Sequence, residues 1–234
     1  MSAPEWDRAR LREVAVEAAV RLEGAHPLDV LGWAAVEFGA GLCVSSSMTD
    51  AVLAHLASRA QPGVPVLFLD TGYHFAETIG TRDAVAATLP VTVHTVRPER
   101  TVAEQDAEHG PRLHDRDPDL CCQLRKVRPL AAALAPYSAW VSGVRRDESP
   151  SRRDTPVVAW NARHALVKVN PLAGWTQSDV DRYVAEHGVL VNPLVDEGYP
   201  SVGCAPCTTP VEPGADPRAG RWAGRAKTEC GIHA

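Results

Sequence analysis

The sequence lacks several features that would place it in common protein classes. It contains no run of about 18 consecutive apolar residues, so no membrane-spanning helix is predicted. Its N-terminus has no basic stretch followed by an apolar one, which argues against a secretory signal and favours a cytoplasmic protein. Internal repeats and low-complexity blocks are also missing. The 234 residues therefore fit one domain of ordinary to large size with a tail.

A surplus of basic charge is missing as well. The 24 basic residues are outnumbered by 29 acidic ones, for a net charge of −5. This balance argues against a nucleic-acid coat protein or a membrane-surface protein, because both need a broad positive field. Basic residues are instead concentrated near the C-terminus, where Arg218, Arg221, Arg225 and Lys227 occur with no acid between them. That local segment suits a small anionic substrate.

Cysteines carry the clearest chemical signal. Cys121 and Cys122 are adjacent, and Cys204 and Cys207 form a CxxC pair. In a reducing compartment, paired cysteines indicate a metal site or catalysis rather than disulfides. Four thiolates suit an iron–sulfur cluster or a structural zinc. We favour a cluster, because its four iron corners accommodate adjacent ligands better than one zinc ion does. Buried thiols without metal and a strained vicinal disulfide are the remaining alternatives.

The other two cysteines lie in contrasting surroundings. Cys230 stands alone within the segment ECGIH (229–233) of a polar tail. A lone cysteine flanked by glycine and histidine in such a tail indicates a nucleophile. Cys43 lies in an apolar segment and is predicted to be an inert core thiol. The sequence therefore predicts four cysteines that bind a cofactor and a fifth that reacts.

The pattern of apolar residues predicts an α/β fold. Helices are predicted at about 6–22 (from Trp6), 27–38, 51–59, 75–89, 102–108, 124–134 and 176–187, with loop from 109 to 120. Strands are predicted at 41–44, 65–69, 91–96, 139–142 and 165–169. This alternation favours a Rossmann-like, mostly parallel sheet flanked by helices, with a site at the carboxyl ends of its strands. Residues 1–208 are predicted to form that nucleotide-binding domain, and 209–234 a mobile tail.

Polar residues follow three of the predicted strands. The loop SSSMTD (45–50), with Ser45 and Ser47, runs into a helix N-terminus and offers hydroxyls and backbone N–H groups to a phosphate. Asp70 and Thr71 add a carboxylate and a hydroxyl where an adenosine would bind, and Arg145 adds a cation for an anionic bridge. Serine runs and helix caps are common, so the loop alone is weak evidence. Three strand ends together predict a nucleotide pocket.

These motifs together resemble a known family. CCQLRK (121–126), CAPC (204–207) and ECGIH are similar to the assimilatory adenylyl-sulfate reductases, the cluster-bearing branch of the phosphoadenylyl-sulfate reductase family. SSSMTD, LDTG (69–72) and GVRRDES (143–149) fit the same family. The resemblance implies a fold of the adenine nucleotide alpha-hydrolase type. Relatives carry more glycine in the first loop, which leaves open which hydroxyl contacts phosphate.

The resemblance also implies a chemistry. The four paired cysteines would ligate a 4Fe-4S cluster with an electrostatic and structural role. Cys230 would attack the sulfate sulfur of adenosine 5′-phosphosulfate, expel AMP and become an S-sulfocysteine. Thioredoxin or a similar dithiol would then release sulfite and supply both electrons. Lys126 would bridge the cluster region and the substrate's anionic end, Arg218 and Arg221 would close over the phosphosulfate, and His233 would follow Cys230 into the site.

Three alternatives stay open for the function. The substrate could carry a 3′-phosphate, although relatives that prefer such a substrate lack the cluster. An ATP-using adenylating enzyme, such as a tRNA-thiolation protein, shares the phosphate loop but needs more glycine and a basic RNA-binding face. A non-enzymatic zinc-binding module is the third alternative. The sequence predicts no nucleic-acid or membrane partner, and it leaves association into a homo-oligomer open.

Overall fold

The computed structural model describes residues 7–233, so Trp6 of the predicted first helix lies outside the described residues. Within them the chain forms a six-stranded sheet. Its strands are β1 (Leu42–Ser45), β2 (Val64–Leu69), β3 (Val91–Val96), β4 (Ala139–Val141), β5 (Val158–Asn161) and β6 (Leu166–Val169). They lie in the order β3-β2-β1-β4-β6-β5, and all neighbours are parallel except β5 and β6. The predicted mostly parallel sheet is confirmed, and β5 is a strand that the pattern did not predict.

Helices cover the sheet and match the predicted segments closely. They are α1 (Arg8–Arg21), α2 (Pro27–Phe38), α3 (Val52–Ala60), α4 (Ala76–Thr88), α5 (Val102–His109), α6 (Leu113–Arg116), α7 (Pro118–Cys122), α8 (Arg128–Leu134) and α9 (Gln177–His187). Capping boxes start α5 at Thr101 and α9 at Thr176, where the hydroxyl and an acid three residues later satisfy free N–H groups. No helix of residues 7–233 has both the length and the apolarity of a membrane span.

The segment before the cysteine pair is the main correction to the predicted elements. Residues 109–120 are predicted to be loop, but α6 and most of α7 lie there. Pro118 at the start of α7 and the Asp117 carboxylate, which accepts from the Leu120 N–H at 2.9 Å, explain this helix start. A π-helical turn (Gln123–Val127) then joins α7 to α8. Its wider turn precedes Pro129, which lacks an N–H and would disturb a regular helix.

The core positions the strand ends. Apolar residues of α1, α2, α3 and the sheet form the larger cluster, and α8 packs with Cys43 and Trp140 on the other face. Cys43 is fully buried as predicted, and burial raises the pKa of its thiol. Because β2 and β4 flank β1 on opposite sides, the strand order reverses between β1 and β4. That reversal opens a crevice at their carboxyl ends, where sheets of this kind bind ligands.

The C-terminal segment 209–233 packs against the domain. Trp222 is only 3% exposed, and its backbone N–H donates to the Cys207 carbonyl at 3.0 Å. Thr208 and Arg221 form an isolated bridge beside it. The segment is poor in large apolar residues, as its composition indicated, but this one tryptophan anchors it next to the CxxC pair.

Candidate active site and cysteine cavity

The four paired cysteines line one small cavity. α7 carries Cys121 and Cys122. Cys207 ends a 3-10 turn (Ala205–Cys207), and Cys204 is the residue that precedes this turn. The Ala205 N–H donates to the Tyr73 carbonyl at 2.7 Å, which holds that turn against the end of β2. The remaining wall is formed by Tyr73, His114, Pro118, Arg125, Lys126, Pro206 and Trp222. All six cysteines of the chain are described, and none forms a disulfide.

Electrostatics show how closely these thiols are grouped. Burial, followed by the charges of Cys122, Cys204 and Cys207, raises the pKa of Cys121 to about 12. Burial likewise raises the pKa of Cys122 to about 11, against the opposing charge of Lys126. Four thiolates at this cavity would repel one another. A group that binds them must therefore bring positive charge of its own.

The donor set and its surroundings fit an iron–sulfur group. Two polar atoms of the cavity wall, Nδ1 of His114 and Nε1 of Trp222, are buried without a hydrogen-bond partner among the described residues. Thr71 adds a hydroxyl 3.3 Å from the Cys204 sulfur. Soft thiolates with such polar neighbours are typical of iron–sulfur sites. Within residues 7–233 no three His, Cys, Asp or Glu side chains are arranged to hold a single metal ion.

Lys126 lines this cavity and also interacts electrostatically with Cys230. Burial acts to lower the pKa of Lys126, but the charges of Cys204, Cys230 and Cys122 outweigh it and the pKa is raised. The Cys230 charge also acts on Cys122. The charges of a partly exposed lone thiol and of the cavity cysteines thus act on one half-buried lysine.

The acid next to Cys230 is clamped by arginines. Arg152 binds Glu229 through two hydrogen bonds of 2.8 Å, Nε to Oε1 and Nη2 to Oε2, and Arg218 lies 3.2 Å from the same carboxylate. Arg152 also donates to Glu148 at 2.5 Å. Burial acts to raise the pKa of Glu229, but Arg152, Arg218 and Arg221 outweigh it and hold the pKa below its ordinary value. The Glu229 carboxylate therefore stays ionised, and the arginines balance its negative charge beside the thiol.

Arg221 binds the segment that precedes Cys204. Its Nη1 donates to Ser201 Oγ and the Val202 carbonyl, both at 3.3 Å. A Cβ on Gly203 would lie 2.3 Å from its Nη2, so the guanidinium occupies the space that a side chain at position 203 would need. Its Nε is buried without a partner among the described residues. Arg218 and Arg221 thus bind different partners. Arg218 pairs with Glu229, and Arg221 bonds the backbone before Cys204.

The serine loop is shaped by its own hydrogen bonds. Ser45 Oγ accepts from Trp140 Nε1 at 2.8 Å, and Ser47 and Thr49 share a hydrogen bond of 3.2 Å. Met48 adopts a φ of 60°, and its fully buried side chain anchors the bend. Asp50 accepts from the N–H of Val52, the first residue of α3, at 2.9 Å. The loop therefore presents Ser45 and Ser47 at the β1 end, with Asp50 in a structural role.

The other predicted strand-end residues, Asp70, Thr71 and Arg145, each have different partners. Asp70 accepts from the Gly72 N–H at 3.1 Å and pairs with Arg97 at 3.4 Å. Thr71 is fully buried on the cysteine side. Arg145 bonds Gln177 at 2.6 Å and Asp147 at 3.2 Å. Only Thr71 of these three contacts the cysteine cavity.

The end of the tail docks on β4 and β6. The His233 ring stacks on Trp140, with 5.5 Å between centroids and 11° between planes. Its Nδ1 lies 3.3 Å from Lys168 Nζ. Sequence reasoning missed Trp140, Lys168 and Arg152. A lone lysine in the apolar strand LVKV was a signal for Lys168, and the arginine pair after GVRRDESPS was one for Arg152.

Comparisons with known proteins agree on one family. The model of the phosphoadenosine phosphosulfate reductase domain matches residues 41–210. The chain is 62% identical to the adenosine 5′-phosphosulfate reductase of Streptomyces coelicolor, with 100% of both chains covered. It is 57% identical to that of Mycolicibacterium smegmatis, over 95% of this chain and 94% of the relative. The structure also matches a Candida auris phosphoadenylyl-sulfate reductase solved with phosphate, at a TM-score of 0.71 and 28% identity, over 86% of this chain and 97% of that one.

Proposed function

This chain belongs to the phosphoadenosine phosphosulfate reductase family, and we propose that it reduces adenosine 5′-phosphosulfate to sulfite and AMP in sulfate assimilation. Relatives that bear this reductase name are similar over essentially the whole chain. The observation that carries the proposal is the half-buried Lys126, which lines the cysteine cavity and interacts electrostatically with the lone thiol of Cys230 and with Cys122 and Cys204.

The first step uses groups that this chain supplies. The Cys230 thiolate attacks the sulfate sulfur, the bond from that sulfur to the bridging phosphate oxygen breaks, and AMP leaves with the electron pair. The product on the enzyme is an S-sulfocysteine. Lys126 and the tail arginines neutralise the phosphosulfate so that a thiolate can approach it. Arg152 balances the negative charge of Glu229, which would otherwise repel the anionic substrate next to Cys230.

The second step needs an external dithiol such as thioredoxin. One donor thiolate attacks the Cys230 sulfur and sulfite leaves. The second donor thiol then cleaves the mixed disulfide, so the donor supplies both electrons and Cys230 is restored. Because Cys230 is only partly exposed where it lies, we propose that the segment 209–233 opens for the donor after the first step. We therefore propose that the mobility predicted for this tail is needed in the second step, when the donor approaches Cys230.

We assign a 4Fe-4S cluster to Cys121, Cys122, Cys204 and Cys207. When bound, it supplies positive charge to the thiolates and rigidity to the wall beside Lys126, and no electron transfer is required of it. The support is a soft donor set spread around a cavity and the buried polar atoms lining that cavity. Iron and acid-labile sulfide analysis separates this assignment from zinc. Reduced cysteines of this kind suit the cytoplasm, where we propose that the protein works.

The form of the substrate without a 3′-phosphate is favoured. Identity to adenosine 5′-phosphosulfate reductases reaches 62%, against 28% to the phosphoadenylyl-sulfate reductase of Candida auris. Likeness to FMN adenylyltransferases of Candida glabrata, at 12% identity and a TM-score of 0.55, concerns the fold alone. Turnover of both sulfated nucleotides decides the point, and a strong preference for the 3′-phosphorylated one would contradict our choice.

A two-stage assay tests the function. Purified protein is mixed with 35S-labelled adenosine 5′-phosphosulfate without a donor, and protein-bound label and AMP are followed. We expect one label per active chain, released as sulfite when reduced thioredoxin is added. Cys230→Ser should abolish labelling, and Cys43→Ala, in the core, should leave it intact. Label that survives in Cys230→Ser would refute the assignment of the nucleophile.

A further inference from the structure

Lys168 is a buried cation that the two proposed steps leave without a role. It is the one charged residue of β6, and its residue surface is 8% exposed. It forms no ion pair with any carboxylate of the described residues. Its polar contact among them is His233. Burying an ammonium without a counter-charge is costly. The free-energy cost of burying this ammonium indicates that Lys168 has a role other than packing.

The contacts of Lys168 connect the tail to the nucleotide loop. Its Nζ lies 3.3 Å from His233 Nδ1 and 4.9 Å from the centroid of the Trp140 ring. Trp140 is fully buried, stacks on His233 and donates to Ser45 Oγ. Four residues from β6, the tail, β4 and the serine loop thus form one connected group.

The chemistry of this contact fixes the histidine. An ammonium can only donate hydrogen bonds, so the Nδ1 that faces it must accept. The ring proton then resides on Nε2, on the opposite edge of the imidazole. Burial, followed by the charges of Lys168, Arg152 and Arg218, lowers the pKa of His233 well below its ordinary value, which keeps the ring neutral. An Nε2–H donor suits an oxygen of a phosphosulfate.

We propose that Lys168 is a positioning residue that seats His233 on Trp140 as the Nε2–H tautomer and so holds the Cys230 segment closed over the anionic substrate. The inference rests on the proposed function, because it explains how the tail is held during the first step. Lys168 acts through His233.

The surroundings of Lys168 support a role at the site rather than in folding. Burial, with the charge of Arg152, lowers its pKa to about 8, so the ammonium form still predominates at neutral pH. The Glu229 charge acts in the opposite sense. An apolar side chain of similar length would avoid the cost of burying that charge. Lys168→Met should therefore keep or increase stability while it loses the donor.

A double-mutant cycle tests the proposal. Single-turnover adduct formation and the KM for adenosine 5′-phosphosulfate are measured for the wild type, Lys168→Met, His233→Ala and the double variant. We expect Lys168→Met to slow adduct formation about 10- to 100-fold, the range for a lost charged hydrogen bond, and to cause little further loss in the His233→Ala background. Lys168→Arg should recover part of the rate. Arg12→Met removes a surface cation over Trp160 and should change nothing.

Nitrogen-15 NMR of labelled histidines gives a readout independent of turnover. The His233 signal, assigned by its loss in His233→Ala, should report protonated Nε2 in the wild type and a mixed tautomer in Lys168→Met. Lys168→Leu serves as a second variant should methionine impair folding. A wild-type rate in Lys168→Met, additive losses in the cycle, or an unchanged tautomer would each overturn the proposal. Failure of the proposed function would instead appear as a wild type that takes no label.

Discussion

Replacing Arg152 by alanine should slow the first chemical step without unfolding the protein. The residue adjacent to the nucleophile, Glu229, is held by the Arg152 fork at two distances of 2.8 Å. The side chains of Arg152 and Glu229 are 13% and 29% exposed, so water can only partly replace the guanidinium. The variant leaves the carboxylate with Arg218 at 3.2 Å as its closest remaining cation.

Of the three hydrogen bonds that the substitution removes, the two to Glu229 hold the tail and set the magnitude. A hydrogen bond to a charged group contributes about 1.5–3 kcal/mol. Arg218 and partial solvation return a share of this, which leaves a penalty of about 2 kcal/mol on the closed tail. If the first step requires the closed tail, kcat/KM falls about 30-fold. Arg152→Lys keeps the charge without the fork and should fall between the alanine variant and the wild type.

The assay is the rate of 35S labelling of Cys230 at subsaturating substrate, with thermal unfolding recorded for each variant. Arg153→Ala is the matched control, because Arg153 is the exposed neighbour in the same turn. We expect it to label at the wild-type rate. Equal rates for Arg152→Ala and Arg153→Ala would show that the clamp does not position the nucleophile.

Three further predictions address other parts of the structure. A Cβ on Gly220 would lie 2.1 Å from the Thr209 carbonyl oxygen, so Gly220→Ala should lower the melting temperature. A Cβ on Gly32 in α2 would meet open space, so Gly32→Ala should raise the free energy of unfolding by about 0.5–1 kcal/mol. Equal melting shifts in the two variants would contradict this. Cys207→Ser should lose iron, acid-labile sulfide and visible absorbance, and retention of all three would exclude this ligand. Hydrogen bonds from the Thr176 backbone and hydroxyl and from Arg182 lower the pKa of Asp179 from 3.8 to about 2, so its stabilisation is complete above pH 3.8 and is lost towards pH 2. Acid unfolding of Asp179→Asn should lack that component, and a curve parallel to the wild type would refute it.

Local patterns were sufficient for much of the fold. α2 begins at Pro27 as predicted, because proline favours the first turn and the apolar spacing runs unbroken to Phe38. β3 likewise matches its predicted bounds of 91–96. β5 was missed because a four-residue edge strand, Val158–Asn161, gives too short a pattern to distinguish it from a loop. The helices before the cysteine pair depend on Asp117 and Pro118, residue types that are as common in loops as at helix starts.

The candidate site was predictable where spacing in the chain carries the chemistry. Two cysteine pairs and a lone tail thiol indicated their grouping directly. The clamp was not predictable, because Arg152 and Glu229 are 77 residues apart and meet only through tertiary packing. The same holds for Lys168 and His233, which are separated by 65 residues. Long-range partners of this kind leave at most a local oddity in the sequence, such as one lysine within an apolar strand.

The most direct measurement is intact-protein and peptide mass spectrometry after incubation with adenosine 5′-phosphosulfate and without a dithiol. The account predicts a mass increase of one SO3 group, located on the peptide that contains Cys230, with AMP released in equal amount. An adduct on Cys121, Cys122, Cys204 or Cys207, or AMP release with no adduct on the wild-type protein, would contradict it.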